Sequence, residues 1–455
     1  IIEPLRELKM LTRREIESKL DFLLEAVGLE NYIKDAFPHQ LSGGMRQRVL
    51  FAMGLSCDPR ILILDEPTNS LDLVSQKEIL EMVTALQEKI GFSLIVISHD
   101  LSVVKSLTDE MGVLYGGEIV EQGKTDTVID NPFHCYTRGL IGSSAGVFPY
   151  KDLWGIPGDS GDAFASKGCV FASRCTQSLA TCFNIKPPLM EVAKDRRVAC
   201  NRGGIVEILR GRNIKKSYRI AGRPIPAVSG ISISINHGET VALIGESGSG
   251  KSTLAQILAG IIKPESGEVF FDGEKIVDNK YARVEKGIQI ILQDPFSSTS
   301  HRLSVEDAVL EPLKINKIGT AEGRKEKLIN VLHDVQLPVD DLFLKTKCSS
   351  LSGGQRQRVA IARGLVMTPR LLLADEITAM LDVSTRANIL RLLKGLQNKN
   401  GFAMLYITHD INLARKVAEK IVVLRSGLIK DQGTAKYLAE QSCCDYTKQL
   451  MEAGL

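Results

Sequence analysis

The feature that most constrains this chain is a long internal repeat. The segment LSGGMRQRV at Leu41–Val49 recurs as LSGGQRQRV at Leu351–Val359, an offset of 310 positions. The same offset relates three further pairs of segments: Asp65-Glu66 and Asp375-Glu376, Leu71-Asp72 and Leu381-Asp382, and Ser98-His99-Asp100 and Thr408-His409-Asp410. Because four separate blocks share one offset, the loops between them match in length. The sequence therefore predicts two copies of one domain.

The two copies differ in how much sequence precedes the shared blocks. Glu3-Pro4-Leu5 matches Glu311-Pro312-Leu313 at an offset of 308, so about 100 residues of the second copy have no counterpart before Glu3. The chain also begins with Ile1 instead of Met, which favours a gene product truncated at its start. We therefore predict an incomplete first domain at 1–142, a Cys-containing linker or extension of that domain at 143–204, and a complete second domain at 205–455.

Charge and hydropathy exclude several classes of protein. The 57 Lys and Arg residues nearly balance the 54 Asp and Glu residues, giving a net charge of +3. Strongly basic nucleic-acid-binding domains usually have a pI above about 9, whereas this chain has a pI near 8.3. A hydrophobic content of 44% is typical of a globular protein and excludes global disorder. No apolar run approaches the roughly 18 residues that a membrane span requires.

Strand and helix patterns alternate along both copies. Apolar runs at Arg60–Leu64 and Arg370–Leu373 end in Asp-Glu, which is typical of strands buried on both faces of a parallel sheet. Further strands are predicted at 93–97, 239–244 and 403–407, and helices at 42–55, 252–262 and 352–365. This alternation predicts an α/β fold.

The strongest chemical motif lies between a predicted strand and a predicted helix. Its residues are Gly245, Glu246, Ser247, Gly248, Ser249, Gly250, Lys251, Ser252 and Thr253, which match G-x-x-x-x-G-K-[ST]. Glycines allow backbone N–H groups to point at phosphate oxygens, and the helix directs its positive N-terminus at the same anion. Lys251 would neutralise the β- and γ-phosphates, and the Ser252 hydroxyl would ligate Mg²⁺. The alternative is a glycine-rich turn that matches by chance.

Two other motifs complete a nucleotide site. Asp375 would hold Mg²⁺ through water, and Glu376 would orient or deprotonate the attacking water; alone, such a pair is usually a solvated turn. Each copy also contains a Ser-Gly-Gly segment, here called a signature loop: Ser42, Gly43 and Gly44 in the first, and Ser352, Gly353 and Gly354 in the second. Either could be a plain helix N-cap, or an anion site with free N–H donors.

The order of motifs along nearly the whole chain resembles that of the ATP-binding cassette (ABC) ATPases. These motifs are the phosphate loop, Gln293 in LQDP, LSGGQ, LLLADE, LD and HD. The resemblance implies a P-loop NTPase fold of the cassette type in two tandem copies. It also implies that Tyr218 stacks on adenine, that Gln293 senses Mg²⁺ and the transmembrane partner, and that His409 contacts the γ-phosphate. Without the resemblance, Tyr218 could be a core aromatic and His409 a strand-end histidine.

In that family, two cassettes sandwich ATP between the phosphate loop of one and the signature loop of the other. If the two halves of this chain pair, Lys251, Gln293, Glu376 and His409 would face Ser42-Gly43-Gly44 in one complete site. The other site would have Glu66, His99 and the second signature loop but no phosphate loop, so we expect one nucleotide per chain. Met45 and Ile377 depart from the family's usual Gln and Pro.

Four cysteines cluster at Cys169, Cys175, Cys182 and Cys200, with no CxxC pair that would favour zinc. They could bind an iron–sulfur cluster whose negative charge Arg174, Arg196 and Arg197 offset, or remain free thiols. The segments NPFHCYTRGL and GC-x5-C-x6-C, with PPL and RVAC, resemble the tail of ATPases from dipeptide, oligopeptide and nickel importers. That resemblance implies a [4Fe–4S] cluster on the four cysteines. Cys135 stands where that family usually has Pro.

These resemblances imply an ATPase that uses ATP and Mg²⁺ to power the import of peptides or a related small solute. Its partners would be transmembrane permease subunits and a solute-binding protein. It would lie at the cytoplasmic face of the cell membrane. Its two cassettes would pair within the chain or with another ATPase chain. The alternative is a tandem ABC protein that acts on nucleic acid or the ribosome, which the charge of +3 and the Gly/Pro/Cys-rich linker disfavour.

Overall fold

The structure is a computed structural model that describes residues 1–7, 11–69, 71–144, 154–156, 158, 167–220, 223–292, 302–379 and 381–453. The described chain forms two compact units. The first unit comprises Ile1–Leu114, Ile119–Phe133 and Leu189–Val198, and the second comprises Tyr115–Glu118, His134–Pro188 and Ala199–Leu455. Most of the cysteine-containing segment lies in the second unit.

The first unit contains helices around a short parallel sheet. The helices are α1 (Glu3–Glu7), α2 (Arg13–Ala26), α3 (Gly43–Leu55), α4 (Leu73–Ile90), α5 (Leu101–Leu107) and α6 (Thr125–Asp130); the strands are β1 (Ile61–Asp65) and β2 (Ser93–Ile97). Thr12 and Asp72 cap α2 and α4 by accepting backbone hydrogen bonds, and Gly91 ends α4 in a left-handed conformation. The core between these helices and the sheet is apolar and includes Leu23, Phe51, Leu62, Leu64, Ile79 and Val83.

One face of this sheet differs from the sequence expectation. Ile61 and Ile63 on β1 are 57% and 62% exposed, and Ile95 and Ile97 on β2 are 48% and 52% exposed. The prediction that β1 is buried on both faces is therefore wrong. Among the described residues of the first unit, the core packs against only the opposite face of the strands, which carries Leu62 and Leu64.

A four-stranded sheet in the order β3-β4-β6-β5 is built from β3 (Glu110–Tyr115), β4 (Glu118–Lys124), β5 (Leu189–Ala193) and β6 (Arg196–Ala199). Most of its residues belong to the first unit. Glu121 and Arg196 form a buried ion pair at 2.5 Å between β4 and β6. Arg196 also donates to the carbonyl oxygens of Thr127 and Asn131. Because a buried charge is costly unless it is paired and hydrogen-bonded, these contacts fix the two strands and α6 together.

The second unit is organised by a six-stranded sheet in the order β12-β13-β14-β9-β15-β16. The first five of these strands are parallel, and β16 is antiparallel to β15. The remaining strands form a four-stranded antiparallel sheet in the order β11-β10-β7-β8. The bounds are β7 (Glu207–Ile220), β8 (Arg223–Asn236), β9 (Thr240–Ile244), β10 (Ser266–Phe271), β11 (Glu274–Lys275), β12 (Ile288–Ile291), β13 (Leu371–Asp375), β14 (Ala403–Thr408), β15 (Lys420–Arg425) and β16 (Leu428–Gly433).

The helices of this unit are α7 (Cys135–Gly142), α8 (Lys251–Leu258), α9 (Val305–Ile315), α10 (Ala321–Asp334), α11 (Asp341–Lys345), α12 (Gly353–Leu365), α13 (Val383–Asn400), α14 (Ile411–Val417), α15 (Ala435–Glu440) and α16 (Asp445–Ala453). Two apolar cores lie on the faces of the six-stranded sheet. Leu371, Leu373 and Leu405 pack against β7, β8 and α8, whereas Leu372 and Met404 pack against α9, α10 and α12. Strands β13 and β14 are buried on both faces, which the sequence predicts for β13.

Elements of the two units correspond at an offset of about 310 residues. The corresponding elements have matching positions and similar lengths. They are helices α3 and α12, strands β1 and β13, helices α4 and α13, strands β2 and β14, and helices α5 and α14. The α/β prediction is confirmed. In the described part of the chain, no helix combines the length and the apolar character needed to cross a membrane.

Candidate functional site

The glycine-rich segment connects the central strand β9 to helix α8. All five residues of β9 are buried, and the chain turns after Ile244 through residues 245–250 before α8 begins at Lys251. Gly250 has a φ of +101°, and a Cβ atom there would lie 2.1 Å from the carbonyl oxygen of Ala227. Gly248 has a φ of +79°, with no atom within 4 Å of the position of a Cβ. Left-handed geometry and close packing explain why these positions are glycine.

This difference predicts unequal effects of alanine at the two glycines. We expect Gly248→Ala to cost about 1–2 kcal/mol for its left-handed backbone, and Gly250→Ala to cost roughly 1–3 kcal/mol more because of the clash with Ala227. Thermal unfolding measures both costs, and ATP affinity reports any distortion of the loop. Gly248→Ala is the matched control. Equal losses of stability would contradict the assigned packing of Gly250.

Lys251 is the positive centre of the site. Its side chain is only 5% exposed, and its Nζ donates to the carbonyl oxygens of Gly245 and Glu246 at 2.8 and 2.9 Å. Its Nζ also lies 3.5 Å from Oε1 of Glu376. The ammonium group is thus held inside the loop whose N–H groups favour an anion.

Asp375 and Ser252 lie next to each other at the end of β13 and the start of α8. Burial raises the pKa of Asp375, while a hydrogen bond from Ser252 opposes this shift. Oδ1 of Asp375 is buried and has no hydrogen-bond partner among the described residues. A carboxylate oxygen and a serine hydroxyl are oxygen ligands of the kind that Mg²⁺ prefers, directly or through water. These two residues therefore fit a magnesium site that nucleotide oxygens would complete.

Glu376 connects the lysine to the histidine. Its backbone is left-handed, with a φ of +46°, and its N–H donates to the carbonyl oxygen of Ile407 on β14 at 3.0 Å. Oε1 faces Lys251, and Oε2 lies 3.8 Å from Nδ1 of His409. The side chain of Glu376 is 13% exposed and that of His409 is 57% exposed. The structure thus brings together Lys251, Glu376 and His409, which lie far apart in sequence, at the carboxyl edge of the sheet.

Of the two other predicted residues, the structure describes Tyr218 but not Gln293. Tyr218 lies on β7, is 40% exposed and pairs with Ile225 of β8. Ala227, two residues further along β8, packs its carbonyl against Gly250 in the phosphate loop, so Tyr218 lies on the strand that pairs with β8. Gln293, predicted to bind Mg²⁺ and to take part in catalysis, lies outside the described residues.

Both signature serines cap helices, but the caps differ. Ser352 accepts a hydrogen bond from the N–H of Gln355 at 3.2 Å, and Oε1 of Gln355 accepts from the N–H of Ser352 at 3.1 Å, which forms a capping box. Ser42 accepts from the N–H of Met45 at 3.3 Å. Because a methionine cannot return the second hydrogen bond, the Met45 departure removes half of the capping box.

The first unit contains a counterpart of the Glu376–His409 pair. Glu66 has the same left-handed backbone, with a φ of +47°. Nδ1 of His99 lies 2.8 Å from Oε1 of Glu66, and this hydrogen bond raises the pKa of His99. The motif G-x-x-x-x-G-K-[ST] occurs in this chain only at residues 245–252.

The cysteines do not form the predicted cluster site. Among the described residues, no group of three or more His, Cys, Asp or Glu side chains is arranged to hold a metal ion, so the structure does not support the iron–sulfur prediction. Two of the arginines expected to offset its charge have other partners. Arg174 donates to the Tyr115 hydroxyl and the Ile156 carbonyl, and Arg196 pairs with Glu121.

Cys135, on helix α7, interacts electrostatically with Cys175 of this segment. The thiol of Cys175 donates a hydrogen bond to Cys135, which lowers the pKa of Cys135 to about 7 and raises that of Cys175. Arg138 further favours the thiolate of Cys135. The departure from Pro at this position was the one sequence signal that could have drawn attention to it.

Comparisons with known families match parts of both units. The family described as "ABC transporter" matches residues 3–69 and 228–379. The family described as "Oligopeptide/dipeptide transporter, C-terminal region" matches residues 120–182. The "ABC transporter" match at 3–69 includes the signature loop of the first copy. Its match at 228–379 includes the phosphate loop, Glu376 and the signature loop of the second copy.

Two transport ATP-binding proteins are similar over most of this chain, and one solved structure is similar over half of it. The oligopeptide transport ATP-binding protein OppD of Mycobacterium tuberculosis is 33% identical over 485 residues, which cover 98% of this chain and 78% of OppD. The glutathione import ATP-binding protein GsiA of Escherichia coli K12 is 33% identical over 436 residues, covering 92% of this chain and 65% of GsiA. The dimeric structure of a bacterial ABC transporter cassette is 33% identical, with a TM-score of 0.45, covering 50% of this chain and 98% of that chain.

Proposed function

This chain belongs to the family of ABC transporter ATP-binding proteins, and from this premise we propose that it hydrolyses ATP to power the uptake of peptides or a related small solute through separate membrane subunits. One observation carries the proposal: the phosphate-loop lysine, the strand-end glutamate and the histidine form a continuous series of contacts through Glu376. That arrangement serves phosphoryl transfer to water, for which positioning and charge neutralisation provide most of the catalysis.

The residues of the site have separable roles in the proposed reaction. Lys251 would exchange its two carbonyl partners for the β- and γ-phosphate oxygens of ATP. The carboxylate of Glu376 would accept a proton from the attacking water while the bond from the γ-phosphorus to the bridging oxygen breaks. His409 would donate a hydrogen bond to the γ-phosphate from the exposed side of Glu376.

Ser252 and Asp375 would hold Mg²⁺, which, when bound, neutralises charge on the nucleotide oxygens. The raised pKa of Asp375 means that its carboxylate is protonated at a higher pH than an ordinary aspartate. Protonation would remove the negative charge that attracts the cation. Tyr218, exposed on β7, the strand that pairs with β8, would stack on the adenine ring.

We propose that the site is completed by a second cassette. The signature loops Ser42-Gly43-Gly44 and Ser352-Gly353-Gly354 each begin a helix, so each leaves backbone N–H donors and a positive helix end for a phosphate. The pairing would occur within this chain or with another ATPase chain. The repeated elements of the two units support the interpretation of the chain as two related cassettes with a cysteine-containing segment at 143–204.

The relatives indicate the class of solute and partner. OppD is described as acting in oligopeptide transport and GsiA in glutathione import, and residues 120–182 match a region described for oligopeptide and dipeptide transporters. We therefore propose that the partners are transmembrane permeases and a peptide-binding protein, at the cytoplasmic face of the membrane.

Reconstitution tests this function. We expect the chain, co-purified with its permease pair in proteoliposomes, to release phosphate from ATP and to accumulate a labelled oligopeptide only with MgATP and a peptide-binding protein present. For comparison, ATP hydrolysis by the purified chain is measured with single-stranded RNA added. ATP hydrolysis that responds to RNA but not to permeases would contradict the importer function, and the absence of any hydrolysis would contradict the ATPase site.

A further inference from the structure

The turn between β15 and β16 contacts the phosphate loop through its backbone. Arg425 ends β15 and pairs with Leu428, which begins β16, so Ser426 and Gly427 form a two-residue turn. Both have a positive φ, +50° and +74°, as a type I′ hairpin turn requires. The N–H of Gly427 donates a hydrogen bond to the carbonyl oxygen of Ser249 at 3.0 Å. The turn therefore holds one peptide group of the phosphate loop.

This hydrogen bond also orients the next N–H group of the loop. In a planar trans peptide the C=O and the N–H point in opposite directions, so holding the oxygen of Ser249 fixes the direction of the N–H of Gly250. Backbone N–H groups of such a loop are the donors that favour an anion. The position of the turn thus sets the direction of a donor beside Lys251, the residue that follows Gly250.

The turn is packed against a strand that also touches the loop. The carbonyl oxygen of Gly427 accepts a hydrogen bond from the N–H of Ser229 on β8 at 2.8 Å. A Cβ atom at Gly427 would lie 2.9 Å from the carbonyl oxygen of Ala227, and a Cβ atom at Gly250 would lie 2.1 Å from the same oxygen. A displacement of the turn is therefore passed to the loop directly and through β8.

Helix α16, near the end of the chain, packs beside this turn. The guanidinium carbon of Arg425 lies 4.4 Å from the centroid of the Tyr446 ring on α16. Tyr446 is 7% exposed and belongs to the same apolar core as Ile244 and Val423. Ile244 is the last residue of β9 before the phosphate loop, and Val423 lies on β15. Tyr446 therefore connects α16 to the strands that lead to the loop and to the turn.

We propose that the β15–β16 turn, supported by α16, is a positioning element for the phosphate loop, with Gly427 and Tyr446 as positioning residues for ATP. Gly427 acts through the carbonyl group of Ser249, and Tyr446 acts through Arg425 and the shared core. The inference rests on the proposed ATP site at Lys251. It adds that α16 contributes to the affinity of that site.

The internal repeat supplies a matched control for Gly427. Gly116 and Gly117, 310 positions before Ser426 and Gly427, form the same kind of turn between β3 and β4, with φ values of +57° and +80°. Among the described residues, no atom lies within 4 Å of the position of a Cβ at Gly117. Alanine at either glycine has the cost of a left-handed backbone, whereas only alanine at 427 meets the carbonyl of Ala227.

Hydrogen–deuterium exchange without nucleotide tests the positioning of the loop. In the full-length chain, we expect Gly427→Ala to speed exchange in a peptide that covers residues 245–252, and Gly117→Ala to leave it unchanged. In Gly427→Ala alone, the affinity for MgATP should fall by about tenfold, near the upper end of what one backbone hydrogen bond contributes. The kcat at saturating MgATP should change by no more than about twofold, because the lost interaction is one of binding. Thermal unfolding confirms that both variants are folded.

Variants of α16 test its contribution. Tyr446→Ala should speed exchange in the same peptide and lower the affinity for MgATP by about two- to fivefold, the range of an exposed cation–π contact. Tyr446→Phe keeps the ring beside Arg425 and should restore both properties. Met451→Ala is the matched control, because Met451 lies on the same helix, belongs to the same core and is also 7% exposed. It should lower the unfolding temperature without changing exchange in the loop.

The outcomes separate this inference from the proposed function. Unchanged exchange in Gly427→Ala, or equal changes in Gly427→Ala and Gly117→Ala, would overturn the role of the turn. Equal changes in Tyr446→Ala and Met451→Ala would overturn the role of Tyr446. If the unchanged chain did not bind MgATP, the proposed function would fail, while the exchange experiment would still decide whether the turn positions the loop.

Discussion

Replacing Glu376 by glutamine is expected to lower the rate of ATP hydrolysis by about 10²–10⁴-fold while ATP still binds. The amide has nearly the same shape as the carboxylate but cannot accept the proton of the attacking water. Glu376 also lies 3.5 Å from Lys251, so the substitution removes a negative charge beside the lysine. Steady-state phosphate release gives kcat, and equilibrium titration with MgATP gives affinity. Affinity should stay the same or rise, because the phosphates no longer compete with the carboxylate for Lys251.

Glu66→Gln is the matched control for this prediction. Glu66 has almost the same backbone conformation as Glu376 and also faces Nδ1 of a histidine, at 2.8 Å instead of 3.8 Å. The phosphate-loop motif occurs in this chain only at residues 245–252, in the second unit. We therefore expect Glu66→Gln to change the rate of ATP hydrolysis by no more than about twofold. This effect is much smaller than the loss expected when a catalytic base is replaced. If Glu376→Gln retained full activity, Glu376 would not be the general base.

The residues of the candidate site could be predicted from the sequence because its motifs have fixed geometric requirements. A phosphate loop needs glycines before a helix, and a buried strand must end where Asp375 and Glu376 can reach that loop. The order of these motifs predicts Lys251, Glu376 and His409 in one site; in the structure, Glu376 lies 3.5 Å from Lys251 and 3.8 Å from His409. The left-handed backbone of Glu376 has no sequence signal, since non-glycine residues rarely adopt it.

Other features depend on which surfaces meet in three dimensions, so sequence patterns predicted them less well. The apolar run of β1 resembles that of β13, yet among the described residues β13 has cores packed on both faces and β1 on one. The expected helix 252–262 ends at Leu258, followed by Gly260, which has a φ of +73°. The cysteine spacing gave no information on which thiols would approach each other. The interaction of Cys175 with Cys135 involves α7, which lies outside the cluster in sequence.

Replacing Lys251 by methionine is expected to lower the affinity for MgATP by about a hundredfold, or roughly 2.7 kcal/mol. Methionine keeps most of the length and apolar volume of the side chain but removes the charge that would meet the β- and γ-phosphates. It also leaves the carbonyl oxygens of Gly245 and Glu246 without their lysine donor. Calorimetric titration at a temperature where the variant is folded measures the affinity.

Lys394→Met separates the loss of a buried charge from the loss of a phosphate ligand. Lys394 is 3% exposed, and its Nζ contacts Oγ1 of Thr240 at 2.9 Å and Oε1 of Glu419 at 3.3 Å, at the opposite end of β9 from the phosphate loop. Removing one partner of a buried pair typically costs about 3–5 kcal/mol, so both variants should unfold at lower temperature. Only Lys251→Met should lose ATP affinity. Equal affinities for the two variants would show that Lys251 stabilises the fold without binding phosphate, because its charge would then act on Glu376 alone.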